Sequence, residues 1–343
     1  MVTVNRRIVV SRYGGPDVMR LVEEPVPQPR AGEARVKVIA TEVNFTDALL
    51  REGVYPGGPE PPFTPGYDLV GVVDDLGAGV QGVQVGERVA ALTVHGAYAD
   101  YVCLPADTLV PVPGTADSAE AVTLILSYMT AYQLLYRAAR VRTGERVLVQ
   151  GAAGAVGRAT LQLGRLAGWR MYGTGRGDEE CAIITGLGGT AIDITAEHSI
   201  RRLRAGGGVD VALDGIGGWT GWQSFRALRP QGRLVLFGHY AALSSRGRRL
   251  GTLVGFYLAG AVVFAASLLT RKRATTYRIA RLRDRFPEEF REDLSTLFKL
   301  LAKGEIRPVV ADRLPLEEAV RAHERLRSGH LAGKQVLLCG WRF

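Results

Sequence analysis

The sequence predicts an α/β protein in two parts, a β-rich module and a doubly wound domain built on a parallel sheet. Three observations predict it. The first 120 residues are short β-branched runs punctuated by Gly, Pro and Asp. From Arg146 onward, strand patterns alternate with helical ones. At the head of that alternation the buried-strand sequence VLVQ enters GAAGAVG, a GxxGxxG turn that opens a helix. At 343 residues and 47% apolar composition the chain can build two ordinary cores, which excludes disorder as its general state.

Taken in order, Arg35–Val43, Leu69–Asp74 and Arg88–Leu92 read as strands of a compact, mostly β module, an irregular barrel in outline. Ser118–Arg140 is apolar at helical spacing. The alternating part follows: strand Arg146–Gln150, helix Gly157–Ala167, strand Arg170–Thr174, a helix near Glu179–Thr185, and strands Val209–Asp214 and Arg233–Phe237. Glu288–Lys303 and Pro315–Gly329 read as amphipathic helices, and QVLLC as a last strand.

Composition excludes several classes. Cys103, Cys181 and Cys339 form no CxxC pair and no even-numbered disulfide framework, so a secreted stapled domain is not expected. The N-terminus, MVTVNRRIVV, has charges where a signal peptide is apolar, and a cytoplasmic location is expected. The net charge of +9 is regional: Tyr240–Arg285 holds ten basic residues and one acid. Those charges bracket an apolar run instead of interleaving with aromatic residues, so no nucleic-acid partner is expected.

In the glycine turn, Gly151 permits the tight bend and the helix N-terminus offers partial positive charge to a pyrophosphate. The second strand ends Tyr172-Gly173-Thr174-Gly175-Arg176, with no acid before Asp178. A carboxylate there would grip a ribose 2′-hydroxyl. Its absence, with Arg176 placed for a 2′-phosphate, favours NADPH over NADH.

VNFTDALLREGVYP, PPFTPGYDLVGVV, MTAYQLL, VLVQGAAGAVG, GTGR, DVALDGIGG, GRLVLFG and the C-terminal LAKGEIRPVVADRLPLEEAVRAHERLRSGHLAGKQVLL occur together in this order. In these motifs the chain resembles the medium-chain dehydrogenase/reductase superfamily, and within it the zinc-free quinone oxidoreductase branch. The resemblance implies a GroES-like catalytic domain over 1–126 and 273–343, a Rossmann NADP(H)-binding domain over 127–272, and an active site in the cleft. It places Asn44 near the nicotinamide ribose and Thr130 beside the nicotinamide or phosphates. Gly151, Ala153, Gly154, Ala155 and Val156 would lie under the pyrophosphate. Gly173, Thr174 and Arg176 would meet the adenosine end, Ile216 the adenine, and Phe237 and Gly238 the nicotinamide pocket. Tyr55 would be the active-site tyrosine, with Asn44 its catalytic companion, and Tyr128, His239 and Tyr240 would face the substrate. Zinc-dependent relatives carry a Cys and a Gly-His-Glu motif. Asn44-Phe45-Thr46 and Gly66-Tyr67-Asp68 stand there instead, so no metal site is expected.

The implied activity is hydride transfer from NADPH to a small, apolar, already electrophilic acceptor, a quinone or an α,β-unsaturated carbonyl. Two alternatives stay open: a reductase or cyclase of secondary metabolism acting on a bulky apolar substrate, and a membrane-associated nucleotide-binding protein with little turnover. They turn on Leu250–Thr270, an uncharged run between RGRR and RKR. It reads as an edge strand, helix and homodimer interface, as an exposed lid or membrane-surface contact, or as a span. A homodimer through part of this run is the expected assembly.

Overall fold

The computed structural model describes residues 4–55, 57–196, 199–238, 250–328 and 333–340. The chain divides into two compact units, 1–126 with 280–343, and 127–279.

The first unit begins with an antiparallel pair, β1 (Val4–Val10) and β2 (Met19–Pro25). Neither strand stands out in the sequence, because the adjacent charges Arg6-Arg7 and Glu23-Glu24 break the alternation. β3 (Glu33–Val43) alternates as a half-buried strand should, with Ala34, Val36, Val38 and Ala40 on its buried side. Helix α1 (Phe45–Arg51) follows at once, with Asp47 in its first turn accepting the backbone N–H of Asn44 at 2.9 Å. β4 (Asp68–Leu76), β5 (Arg88–Leu92), β6 (Tyr101–Pro105) and β7 (Val110–Pro111) complete this stretch.

The predicted helix over 118–140 is continuous in sequence but not in geometry. α2 (Ser118–Thr123) and α3 (Met129–Gln133) are each followed by a π-helical turn, Leu124–Tyr128 and Leu134–Ala138. Such widened turns recur at functional sites because they re-aim side chains.

The second unit holds β8 (Arg146–Val149), α4 (Ala155–Leu166), β9 (Arg170–Gly175), α5 (Gly177–Gly186), β10 (Thr190–Asp193), α6 (Ser199–Ala205), β11 (Val209–Asp214), α7 (Trp219–Ala227), β12 (Leu228–Leu236), α8 (Leu250–Leu269) and β13 (Arg273–Thr276). Among the described residues its strands are all parallel in the order β10-β9-β8-β11-β12-β13. Strand order reverses between β8 and β11, and in such sheets ligands bind beyond the strand C-termini at that reversal.

Two expectations need correction here. The sequence reading returned the chain to the first unit at 273, but β13 adds to β12 and carries the second unit to Ile279. Leu250–Leu269 is a single helix, and the edge strand follows it in β13. Val263 of α8 is fully buried in a cluster with Phe225, Leu228 and Leu234, so the helix belongs to this unit's core on one side. Among the described residues no helix is long and apolar enough to cross a membrane.

After α9 (Ile279–Arg285), the amphipathic α10 (Pro287–Ala302) buries Phe290, Leu294, Leu297 and Phe298 at helical spacing, with Pro287 and two glutamates in its first turn. β14 (Val310–Pro315), α11 (Ala319–Ser328) and β15 (Lys334–Leu338) then return to the first sheet, where β15 lies antiparallel to β3.

Candidate active site

In the second unit four of the predicted residues, Gly151, Thr174, Ile216 and Phe237, are joined by one chain of hydrogen bonds. Gly151 leaves β8 at φ +63°, a conformation that glycine adopts without strain. Its N–H donates to Thr174 Oγ1 at 2.9 Å, and the Ala152 N–H donates to the Thr174 carbonyl at 2.9 Å. Thr174 donates to Gln150 Oε1, Gln150 Nε2 to Ser224 Oγ, and Ser224 to Asp214 Oδ2, each within 2.9 Å. Asp214 also accepts the N–H groups of Ile216 and Gly217, and its carbonyl accepts that of Phe237. The ends of β8, β9, β11 and β12 are thereby tied together. Burial raises the Asp214 pKa, while its three donors favour the carboxylate.

The rest of the turn fits an anionic ligand. A Cβ on Gly157 would stand 2.5 Å from the Ala152 backbone, so α4 approaches the turn as only glycine allows. The first turn of α4 leaves N–H groups aimed past Gly154, which is exposed. Gly154-Ala155 in place of paired glycines is no obstacle, since Gly154 is extended at φ −74°. Arg158, which the sequence reading did not single out, donates from Nε to the Ala153 carbonyl at 2.6 Å. Burial lowers its pKa, against Glu179, Glu180 and Tyr128, which raise it and therefore lie close by. Tyr128 and Thr130 are buried, and α3 packs on α4. Arg176 is exposed, and its backbone N–H is held by Glu180 at 2.7 Å. His239 and Tyr240 lie outside the described residues.

The first unit holds a different constellation. Asn44 is buried: its Oδ1 accepts from Lys334 Nζ at 2.8 Å and its Nδ2 donates to Asp68 Oδ2 at 3.2 Å. Lys334 Nζ also stands 2.7 Å from Glu42 Oε1, an ion pair lying off the hydrogen-bonding direction of the carboxylate. Burial lowers the Lys334 pKa to about 7 and raises that of Asp47 to about 7. Asp68 is pushed well up, first by burial and then by Asp47. Asp47 accepts the Gly66 N–H at 3.0 Å and the Tyr98 hydroxyl at 3.4 Å.

Tyr98 in turn meets His323 Nε2 at 3.3 Å, and Arg51 donates to His323 Nδ1 at 2.6 Å. Because Arg51 can only donate, His323 is the neutral Nε2–H tautomer, in keeping with a pKa held down to about 3 by burial. Tyr55 is half-buried and meets the buried Tyr67 hydroxyl to hydroxyl at 3.1 Å, with the rings edge to face. Burial, then Tyr55, raises the Tyr67 pKa, so this phenol stays protonated. Tyr55 is not among the hydrogen-bond partners of Asn44 in this network; the structure joins it to Tyr67 instead.

Comparison with known proteins decides the family. The Alcohol dehydrogenase GroES-like domain matches residues 30–114, and the Zinc-binding dehydrogenase domain matches 188–337. The quinone oxidoreductase of Rattus norvegicus is 30% identical over 340 residues, covering 97% of each chain. The chain belongs to the quinone oxidoreductase-like medium-chain dehydrogenases/reductases.

Solved structures of this family agree across the whole chain. Escherichia coli quinone oxidoreductase complexed with NADPH aligns over 97% of this chain and 99% of its own, with a TM-score of 0.83 and 29% identity. The human synaptic vesicle membrane protein VAT-1 homolog-like protein aligns over 99% of both, with a TM-score of 0.80 and 26% identity. Within the oxidoreductase fold, Gln150, Arg158, Ser224, Asp214 and Lys334 are site residues that sequence reasoning passed over, and Tyr67 and Asp68 enter it only as non-ligands. Gln150 and Asp214 each close a strand pattern, at the end of VLVQ and within DVALDGIGG, and a polar residue in that position was the available signal.

Proposed function

We propose that this chain transfers hydride from NADPH to a quinone or an α,β-unsaturated carbonyl, without a metal ion. The observation that carries the reading is the turn from Gly151 to Gly157, keyed to Thr174 and backed by the hydrogen-bonded chain from Gln150 to Asp214. Bound there, the nicotinamide supplies the hydride. Gly151, Ala153, Gly154, Ala155 and Val156 would hold the pyrophosphate, and Arg176 a 2′-phosphate. Ile216 and Phe237 stand on the strand-end network, and with Gly238 they would line the base and nicotinamide.

The acceptor needs a hydrogen-bond donor where negative charge develops. The Tyr55 hydroxyl, with Tyr67 neutral beside it, supplies that donor. Metal independence rests on the donors present: Asn44-Phe45-Thr46 and Tyr67 offer neither thiolate nor imidazole. Among the described residues no three His, Cys, Asp or Glu side chains gather as a ligand set. A homodimer is part of the proposal, since among the described residues β13 pairs only with β12 and leaves a parallel-sheet edge for a second copy.

The test is NADPH oxidation with a simple quinone, before and after exhaustive chelation, beside dissociation constants for NADPH and NADH. Turnover should survive chelation. Arg176→Ala should weaken NADPH by roughly tenfold and leave NADH unchanged, the scale of an exposed charge-assisted contact. Tyr55→Phe should lower kcat and kcat/KM together with NADPH affinity intact. Equal affinity for both cofactors in the parent protein would overturn the cofactor assignment, and activity that requires added zinc would overturn the metal-free mechanism.

A further inference from the structure

The second unit has two ends. At one, the strand C-termini carry the glycine turn. At the other, where the strands begin, the returning helices α6, α7 and α8 all finish, because a helix between parallel strands runs back against them. α8 meets that end with its apolar surface largely bare. Its inner side is anchored by Val263, but Tyr257, Leu258 and Val262 are exposed, and the terminal Leu268 and Leu269 are 86% and 87% exposed. An isolated exposed leucine is ordinary, whereas a continuous helical face of them marks a surface that something covers.

The charge around that face says what covers it. Arg271 and Arg273, two and four residues beyond Leu269, are exposed. Lys272 Nζ donates to the Phe225 carbonyl at 3.1 Å and lies over the Phe225 ring, which fixes it against the end of α7. Burial lowers the Lys272 pKa, and the charges of Arg204 and Arg226 lower it further, which places the exposed last-turn arginines of α6 and α7 in the same cluster. Arg170 opens β9 at the same end and is exposed. Asp210, the acid at the start of β11, is already engaged, by Arg229 at 3.0 Å and by the Arg146 N–H at 2.7 Å. The apolar helix end is therefore rimmed by cations.

A second copy seated on this face would bring those cations against their own mates, an unfavourable contact. An anionic bilayer surface accepts both parts, acyl chains for the leucines and headgroups for the arginines. We propose that this end of the second unit docks on an anionic phospholipid surface, with the exposed face of α8 lying in the interface and Arg204, Arg226, Arg271 and Arg273 on the headgroups. The helix lies on the membrane and does not span it: Val263 and Ala266 hold it in the core of the unit. The glycine turn, at the opposite end of the same sheet, faces away from the lipid.

The experiment is co-sedimentation of the full chain with phosphatidylcholine vesicles, with and without phosphatidylserine, at low and high salt. The protein should pellet with the anionic vesicles at low salt, partition weakly to neutral ones, and be released by salt. Leu268→Ser with Leu269→Ser should lower the partition constant at least about tenfold. Arg271→Gln with Arg273→Gln should also lower it roughly tenfold or more. These positions are exposed, so melting temperature should stay within a few degrees of the parent and certify folding. A parent protein that stays in the supernatant with phosphatidylserine vesicles at low salt overturns the proposal, as does pelleting that neither double variant changes. If Leu268→Ser with Leu269→Ser turns a sedimenting dimer into monomer while vesicle binding persists, a second copy covers the face and the proposal falls.

Discussion

The buried carboxylates of the two units are held in unlike company. Asp214 in the second unit sits among neutral partners: two backbone N–H groups, a serine hydroxyl and, beyond it, Gln150 and Thr174. Asp47 and Asp68 in the first unit sit near groups that carry or exchange charge, with Lys334 and Glu42 on one side and Arg51 and His323 on the other. The neutral partners hold the Asp214 carboxylate by donation alone, and a ligand's own negative charge is left to the backbone N–H groups of the glycine turn. In the charged scaffold burial raises Asp47 against its hydrogen bonds and Arg51, and burial lowers Lys334, which leaves both near 7 and able to change protonation close to neutral pH. The comparison teaches that burial alone does not define a site; the partners decide whether a buried acid is scaffolding or a proton holder.

The sharpest way to break the charged network is Lys334→Met, which strands the Glu42 carboxylate in the interior. Loss of one partner of a buried pair costs about 3–5 kcal/mol. Urea unfolding should show that loss, and hydrogen exchange should accelerate in β3 and β15 while β8 and β11 stay protected. In the second unit's network, Asp214→Asn keeps an oxygen for the Ile216 and Gly217 N–H groups but puts an amide donor where the Ser224 hydroxyl needs an acceptor. A loss of about 2–3 kcal/mol is expected, with faster exchange confined to the second unit.

Next in size is a pH effect with opposite signs at two neighbours. Asp47 binds its proton more tightly folded than unfolded, so its contribution is complete below about pH 4 and disappears as pH rises to about 7. His323 does the reverse: its contribution is present above about pH 6.5 and is lost as pH falls toward 3. Stability measured against pH should therefore separate Asp47→Asn and His323→Gln from the parent in opposite directions, by up to about 1.4 kcal/mol per pH unit. Parallel curves would show that the two groups do not titrate as described. The smallest effect is Tyr67→Phe, which removes one hydroxyl contact to Tyr55. Stability should change by about 1 kcal/mol or less, and the measurement that sharpens the comparison is kcat with a quinone, expected to fall more than stability does.

The second unit was the more legible one. Its site is made by backbone, and backbone demands are written locally: Gly151 for a positive φ, Gly157 for a close approach, a strand before and a helix after. The sheet order follows from the same alternation. The first unit's site is made by side chains from Asn44, Asp68, Tyr98, His323 and Lys334, which are up to 290 positions apart for the Lys334–Asn44 bond. No local pattern announces that convergence: His323 lies within the predicted helix Pro315–Gly329, and only the fold brings it beside Arg51. The short strands β1 and β2 are not legible because the charge pairs Arg6-Arg7 and Glu23-Glu24 interrupt the period-2 pattern. α7 was missed because a paired glycine precedes it and obscures its start.

One topological feature sets an order of events. β15 pairs with β3, so the first unit's sheet joins segments that lie on either side of the whole second unit. During synthesis residues 127–279 can emerge and fold as a contiguous piece, whereas the first unit stays without β15 until Lys334–Leu338 has been made. Until then Glu42 has no ammonium beside it and Asn44 no donor for its side-chain carbonyl. The nascent chain thus carries a finished nucleotide fold next to an incomplete sheet, and the buried charges of the first unit are neutralised last.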